Sequence, residues 1–444
     1  MKIAVIGGGI SGLSAAYYLM KKGHEVWIFE KENRFGGTII TERTNNFTIE
    51  GGPDCFLREK EWGIILIKEL GMEKELLGTN EASKTTYVLW RGKLHEIPEG
   101  FFLLLPTKIF PFLKSSLFSL TGKLRAGLEI FIPPLKDETE ESLADFVNRR
   151  FGREVLEKIA EPLVAGVHAG DPQKMSLKAT FPRFVEIERN CGSLLRWAMK
   201  RKSGKWSSPF VTLKNGLGSL IDKLVDVMKG RVVFLKEKAV EGLKKINSKW
   251  EVLYNGGSEV FDKVVLATPS FVSAYIMREF PVSKLLKEIP YVSTATISMG
   301  FYERDVEIPD GYGFVVPAIE LKRITAVTFS SNKFSGRAKE GFKLIRCFLG
   351  GYRNQEVVGL PDEKMIRICL EEVSSVIKIK NQPLITKIFR WAKGMPQYHL
   401  GHISLVEEIE KMLPEGIYLT GNAYYGIGIP DCIKRGMEIA ENIS

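Results

Sequence analysis

Hydrophobic and polar positions follow two different periods along this chain, and the switch between them is sharpest in the first 37 residues. Lys2-Ile3-Ala4-Val5-Ile6 is a near-continuous apolar run, the signature of a parallel strand buried on both faces. A run of glycines follows, then an apolar helix predicted over about 13–22 and ended by Gly23. Glu25-Val26-Trp27-Ile28-Phe29 is the next strand, closed by Glu30. Further along, the pattern predicts short strands at 231–234 and 239–241 and the start of a β-ribbon at 250–254. It also predicts a buried strand over 262–269, stopped by Pro269. Alternation over about 290–352, as in Thr296-Ile297-Ser298-Met299-Gly300-Phe301, predicts an antiparallel sheet. Residues 362 to about 377 have helical period, 416–420 read as a strand, and a last helix runs to about 442.

One segment departs from ordinary amphipathic patterning. Residues 101–134 are dense in Phe and Leu, and Leu113, Leu117, Leu120, Leu124 and Leu128 recur at spacings of four and three. That spacing predicts a helical stripe, with Lys114, Lys123 and Arg125 on other faces. Two roles fit such a stripe: packing on the rest of the protein, or dipping into a bilayer interface. No uncharged apolar run reaches about 18 residues, so no spanning helix is predicted. No internal repeat or low-complexity tract is visible.

The chemistry begins where the first strand meets its glycines. Gly7-Gly8-Gly9-Ile10-Ser11-Gly12 between a strand and a helix is the dinucleotide fingerprint in its required context. Gly7 permits the tight turn, Gly9 lets backbone approach a pyrophosphate, and Gly12 lets helix and strand pack closely. The helix N-terminus offers free N–H groups and a partial positive charge to that pyrophosphate. Glu30, 18 positions after Gly12, is placed to bind an adenosine ribose and to repel a 2′-phosphate. Arg34-Phe35-Gly36-Gly37-Thr38 then extends the motif in a way that favours FAD over NAD, with Arg34 neutralising phosphate charge and the glycine pair clearing space. Near the C-terminus, Gly421, Gly426 and Gly428 lie between a strand and a helix with Asp431 as the expected cap. A flat ligand could lie there against backbone, under the helix dipole.

Composition narrows the remaining choices. At 444 residues the chain should form two or three domains. Its 44% apolar and 26% charged content is that of an ordinary globular protein. A net charge of +10 and pI near 9.1 suggest an anionic partner: an acidic substrate or a phospholipid surface, with nucleic acid disfavoured because the lysines are dispersed. The cluster Lys200-Arg201-Lys202 with Lys205 reads as a solvated loop. Five widely spaced cysteines without a CxxC pair, and five histidines without ligand spacing, argue against disulfides and metals and fit a reducing compartment. The first strand starts so early that no signal peptide is expected.

At these residues the chain resembles the oxygen-dependent protoporphyrinogen and coproporphyrinogen III oxidases, FAD flavoenzymes of haem biosynthesis. The resemblance rests on Glu50-Gly51-Gly52-Pro53-Asp54-Cys55-Phe56, on Pro106-Thr107-Lys108 to Leu120, and on Glu161-Pro162-Leu163-Val164-Ala165-Gly166-Val167-His168-Ala169-Gly170-Asp171. It continues through Met395-Pro396-Gln397-Tyr398-His399-Leu400-Gly401-His402 and the run 426–432. Cys55 stands where the family often carries Ser or Thr. The resemblance implies an α/β fold with a Rossmann-like FAD-binding domain of the amine-oxidase/glutathione-reductase type, a substrate domain containing an antiparallel sheet, and a helical insertion able to touch membranes. The implied division gives 1–80, 206–270 and 391–444 to the FAD domain, 81–100, 171–205 and 271–390 to the substrate domain, and 101–170 to the helical region.

It further implies FAD contacts from Gly7, Gly8, Gly9, Ile10, Ser11, Gly12, Glu30, Lys31, Arg34, Gly36, Gly37 and Thr38. Others would come from Gly52, Pro53, Val240, Trp391, Gly421, Ile427, Gly428 and Ile429. The activity implied is six-electron oxidation of a porphyrinogen in three hydride-type steps, with O2 as acceptor giving hydrogen peroxide. No metal is expected. Lys60, Arg58 and Arg91, in that order, are candidates to meet the propionates, and Asp54 to hold or accept a pyrrole proton. Implied partners are the porphyrinogen, a membrane surface on the inner cytoplasmic face, and a ferrochelatase receiving product; the chain could be a monomer or a homodimer. A flavin amine oxidase or carotenoid desaturase on the same fold is the alternative enzyme, and a flavin- or haem-binding chaperone the non-enzymatic one. The sequence leaves protoporphyrinogen and coproporphyrinogen undivided.

Overall fold

The computed structural model describes residues 1–82, 84–98, 101–102, 105–106, 109–135, 139–200 and 209–443. The basic cluster at 200–205 and the Pro106-Thr107-Lys108 start of the second family segment fall largely outside these residues.

Five parallel strands form the nucleotide sheet: β1 (Lys2–Ile6), β2 (Glu25–Phe29), β3 (Val232–Leu235), β4 (Lys263–Leu266) and β5 (Ile417–Leu419), in the order β3-β2-β1-β4-β5. Helix α1 (Ile10–Lys21) follows β1, and helix α2 (Ile429–Asn442) packs beside it as the chain's last element. Ile3, Val5, Val26 and Ile28 are fully buried on one side of the sheet, Ala4, Val264 and Leu266 on the other, which explains the unbroken apolar runs of these strands. The ribbon after β3 has three strands, Val240–Ile246, Lys249–Tyr254 and Gly257–Phe261.

A second sheet of seven strands runs in the order Ile385–Pro396, Tyr291–Tyr302, Phe342–Gly350, Ile324–Thr328, Gly313–Val315, Thr86–Trp90 and Lys93–Glu96. All neighbours are antiparallel except Gly313–Val315 with Thr86–Trp90. Helix Asp362–Ser374 covers one face through Met365, Ile368, Cys369 and Val373. The expected domain boundary at 390/391 falls inside strand Ile385–Pro396, which pairs with Tyr291–Tyr302 along its length, so this sheet continues to Pro396.

The helical region departs from the sequence reading. The leucine stripe is not one helix: Ile109–Lys114 ends, and Leu120–Gly127 restarts after Ser119, whose hydroxyl accepts from Gly122 N–H at 3.0 Å. Of the five leucines only Leu117 is buried; Leu120 and Leu124 are 78% and 72% exposed, and Leu113 and Leu128 are also exposed. The stripe therefore does not pack on the protein, because the serine cap resets the helical phase. Arg125 donates to the carbonyls of Asn148, Arg149 and Arg150 rather than to solvent. Among the described residues, no helix is long and apolar enough to cross a membrane.

Candidate flavin site and its two glycine crossings

The first crossing is built as the spacing predicts. Gly7 takes φ +108°, and its N–H donates to Phe29 O at 2.8 Å, so β1 turns directly over the end of β2. A Cβ on Gly12 would lie 1.9 Å from Gly7 O, which leaves no alternative residue for that close packing. Gly9 differs: a Cβ there would meet nothing nearer than Gly37 Cα at 3.9 Å, so its face opens as a cradle. Gly36 N–H donates to Gly8 O at 2.8 Å, which joins the second glycine turn to the first. Helix α1 starts at Ile10, three residues before the predicted start, and aims its N-terminus, with Ser11, at this cradle.

Glu30 is buried at the tip of β2 and accepts from Gly8 N–H at 2.8 Å and Glu32 N–H at 2.9 Å. Two oxygens carry more acceptor sites than those two donors fill, so ribose hydroxyls can still be met. Lys238 N–H donates to Glu30 O at 2.9 Å, which brings the start of strand Val240–Ile246 to the same end. The Arg34 guanidinium donates to Gly37 O at 2.6 Å and to Ile39 O and Phe35 O, so it braces the glycine-pair turn while its positive charge stays beside the crossing. Lys31 is exposed beside Glu32, and Thr38 is exposed at the end of the turn.

The segment 50–55 runs between the two sheets. Gly51 O accepts from Thr296 Oγ1 at 2.9 Å, Trp391 Nε1 at 3.0 Å and Arg346 Nη2 at 3.2 Å, and Arg346 also donates to Gly52 O. Trp391 thus uses its indole N–H on the segment itself. Gly52 sits so close to the first crossing that a Cβ would lie 1.8 Å from Thr38 O, with Pro53 next in line. Glu50 is held by Thr41 Oγ1 at 2.6 Å, Leu217 N–H at 2.9 Å and Arg337 at 3.4 Å, while burial pushes its pKa above the usual range.

Asp54, the candidate to hold or accept a pyrrole proton, has two side-chain partners here. Its carboxylate lies 2.9 Å from Lys333 Nζ and accepts from Cys55 Sγ at 3.1 Å. Burial pushes its pKa up, but Lys333 and then Arg346 outweigh burial and hold it well below the usual carboxylate range. Held in its ionised form, the carboxylate anchors Lys333 against this segment. Cys55 fills the Ser/Thr position as a donor to Asp54, its own pKa pushed up to about 12 by burial and by that neighbour.

The three propionate candidates differ in their partners. Lys60 Nζ lies 2.6 and 2.8 Å from the two oxygens of Asp431, so its charge is committed at the start of α2. Arg58 is exposed, with its backbone N–H on Pro209 O. Arg91 takes a left-handed turn position (φ 52°) in the hairpin between Thr86–Trp90 and Lys93–Glu96, its guanidinium against Trp90 and its N–H on Glu320.

At the second crossing, Gly421 follows β5 with φ +134° and open space where a Cβ would stand, 3.9 Å from the nearest atom. Beside it Thr420 Oγ1 is buried with no partner, an acceptor and donor left for a ligand. Asp431 is not the N-cap of α2, as the sequence suggested; Gly428 takes that place, and Asp431 two residues into the helix beyond Ile429 accepts from Gly428 N–H at 3.2 Å. A glycine cap cannot clash with a ring lying across Ile427 and Gly428. The open faces of Gly9 and Gly421, the orphaned Thr420 hydroxyl and the buried Glu30 fit a dinucleotide lying across both crossings.

Sequence reasoning missed Lys333, Arg346, Tyr398 and the surroundings of His168. Arg346 was findable: it interrupts the apolar strand Phe342–Gly350, where a buried charge needs a partner. His168 ends helix Glu161–His168, its ring edge-on to Phe181 with centroids 5.5 Å apart. Burial, aided by the Lys60 charge, pushes its pKa down to about 4. Among the described residues, no group of three or more His, Cys, Asp or Glu side chains could hold a metal.

Comparison with known proteins agrees with this geometry. Residues 10–444 match the family of flavin-containing amine oxidoreductases. The coproporphyrinogen III oxidase of Bacillus subtilis (strain 168) is 36% identical over 98% of this chain and 96% of its own. The chloroplastic protoporphyrinogen oxidase of Nicotiana tabacum is 26% identical over 99% and 85%. A crystal structure from Exiguobacterium sp. 255-15 superposes with a TM-score of 0.90 at 29% identity, covering 100% of this chain and 98% of that one.

Proposed function

The chain belongs to the flavin-containing amine oxidoreductases, within their porphyrinogen oxidase branch, and from that premise we propose that it oxidises coproporphyrinogen III to coproporphyrin III with FAD as cofactor. It is an enzyme of haem biosynthesis that takes a porphyrinogen as substrate. The observation that carries the choice of substrate is the ten-point difference in identity, 36% to a coproporphyrinogen III oxidase against 26% to a protoporphyrinogen oxidase, both over nearly the full chain. The two substrates differ by two propionates against two vinyl groups, and the chain's net charge of +10 suits the more anionic one.

When bound, the flavin supplies a two-electron acceptor, chemistry that no side chain offers. The protein's part is placement. N–H groups of 9–12 and the dipole of α1 meet the pyrophosphate, Glu30 the ribose, and the backbone near Val240 the same end of the nucleotide. Gly52, Pro53, Trp391 and Gly421 with Ile427 to Ile429 border the ring. Arg34 and Lys60 act as positioning residues, the first on the glycine-pair turn and the second through Asp431. Arg58, exposed just after segment 50–55, meets a propionate. Dioxygen is the final acceptor, giving hydrogen peroxide.

The exposed Phe110, Leu113, Leu120, Leu124, Leu128 and Phe131, interspersed with Lys114 and Lys123, form the face by which the enzyme rests on an anionic membrane surface. Co-sedimentation with anionic vesicles should fall sharply in a Leu120→Ser/Leu124→Ser variant; equal binding by variant and wild type would remove this contact. The substrate assignment is tested by specificity constants for both porphyrinogens. A kcat/KM favouring coproporphyrinogen III by tenfold or more is expected, and a preference for protoporphyrinogen IX would reverse the assignment.

A further inference from the structure

Segment 397–402 lies outside both glycine crossings yet bonds the second one through Tyr398 and His402. Tyr398 is buried, and its hydroxyl donates to Asn422 O at 2.7 Å while accepting from Gly426 N–H at 2.8 Å. One oxygen therefore closes the loop 422–426 across its mouth. His402 stacks on the Tyr398 ring with centroids 3.9 Å apart and planes 11° from parallel. Its Nε2 donates to Tyr424 O at 3.0 Å, and burial lowers its pKa, which favours the neutral ring. Two stacked rings thus hold three backbone groups of the loop that leads into Gly428 and α2.

The other side of the same segment is docked on the helical region, at Glu140 and His168, and on the turn at 174–176 that follows it. Ser176 N–H donates to Tyr398 O at 2.8 Å, and Leu400 N–H donates to Lys174 O at 3.0 Å. Glu140 accepts from Gly401 N–H at 2.7 Å and from the Ser176 hydroxyl. Gln397 Nε2 donates to His168 O at 3.1 Å, at the end of helix Glu161–His168. The segment has one face on the cofactor crossing and the other on the helical region, with short polar contacts on both.

We propose that Tyr398 is a positioning residue for the flavin crossing, and that 397–402 is the joint through which the helical region is registered against it. The proposal rests on the flavin reading above. Its physical content is that the direction of the Gly426–Gly428 backbone, which borders the ring, is set by one hydroxyl and one imidazole and not by the turn sequence alone. Strain or displacement of the helical region would reach the cofactor through Glu140 and the carbonyl of His168. This is a mechanical link between the region that meets the outside and the ring that takes electrons.

The test compares holoprotein of wild type, Tyr398→Phe, Glu140→Gln and the double variant. Tyr398→Phe keeps the stack and loses both hydroxyl bonds; FAD Kd should rise about tenfold, since each net hydrogen bond is worth several-fold in affinity. The flavin midpoint potential and visible band shape should shift with it, readouts that a loss of packing alone would leave in place. Glu140→Gln should raise Kd about threefold, and the double variant should fall short of the product of the two effects. Tyr398→Leu, which also removes the stack, should be worse than Tyr398→Phe. A Tyr398→Phe protein with Kd within twofold and an unshifted potential overturns the positioning role. Independent effects of Glu140→Gln and Tyr398→Phe overturn the joint. A wild-type protein that binds no FAD at all overturns the flavin reading, and this inference falls with it.

Discussion

Replacing Lys333 by Met tests the anchoring of the segment that separates cofactor from substrate sheet. Lys333 and Asp54 form an ion pair of 2.9 Å in which the two side chains are 13% and 21% exposed. Removing one partner of a buried pair strands the other charge, at a cost of about 3–5 kcal/mol when nothing else compensates. Here Arg346 still faces Asp54 and some solvent reaches the pair, so about 2–3 kcal/mol is expected. Asp54→Asn alone strands Lys333 and should cost a similar amount. The double variant Asp54→Asn/Lys333→Met strands neither, and should recover about 1–2 kcal/mol relative to the sum of the singles. The assay is urea unfolding of the holoprotein followed by both flavin and tryptophan fluorescence. The sign with pH is fixed by Asp54. Its folded pKa lies below the ordinary value near 3.8, so its contribution is present above that value and fades as pH falls through the depressed one. The deficit of Lys333→Met relative to wild type should therefore shrink as pH falls through the acid range, because protonating Asp54 removes the stranded charge in the variant and breaks the pair in wild type. A single variant within about 0.5 kcal/mol of wild type, together with additive behaviour in the double variant, would refute the reasoning.

Gly9→Val should abolish yellow colour in purified protein while circular dichroism stays unchanged, because the added side chain enters the open cradle facing Gly37; retained flavin would contradict the placement of the pyrophosphate. Lys60→Ala should leave KM within about twofold and chiefly weaken flavin retention, since the ammonium is on Asp431; a large rise in KM with normal flavin content would return Lys60 to the propionates. His168 is pushed down to about 4 from 6.5, so between those values the unfolded chain binds a proton that the folded one refuses. Wild type should therefore lose stability relative to His168→Phe as pH falls from 6.5 towards 4, and parallel pH profiles would refute this.

Much of the fold was legible because parallel strands carry unmistakable apolar runs and the glycine spacing is dictated by backbone contact. The predicted segments around 231–234, 250–254, 262–269 and 416–420 all correspond to strands of the nucleotide sheet or its ribbon. The first fingerprint was readable for the same reason: Gly7 and Gly12 touch each other within twelve residues of chain. The leucine stripe misled because periodicity says which residues share a face and not whether Ser119 interrupts the helix. Charges were harder still. Lys60, Asp54 and Arg34 looked free because their partners, Asp431, Lys333 and the carbonyls of a tight turn, are set by tertiary structure, in the first two cases hundreds of residues away. Spacing likewise does not reveal that His402 stacks on Tyr398, four residues back.

The account turns most directly on one aerobic assay of the purified, yellow protein with coproporphyrinogen III, recording Soret absorbance and dissolved oxygen together. Three two-electron steps predict three O2 consumed and three H2O2 formed for each porphyrin that appears. Porphyrin formation no faster than in protein-free buffer, from material that carries its flavin, would contradict the assignment.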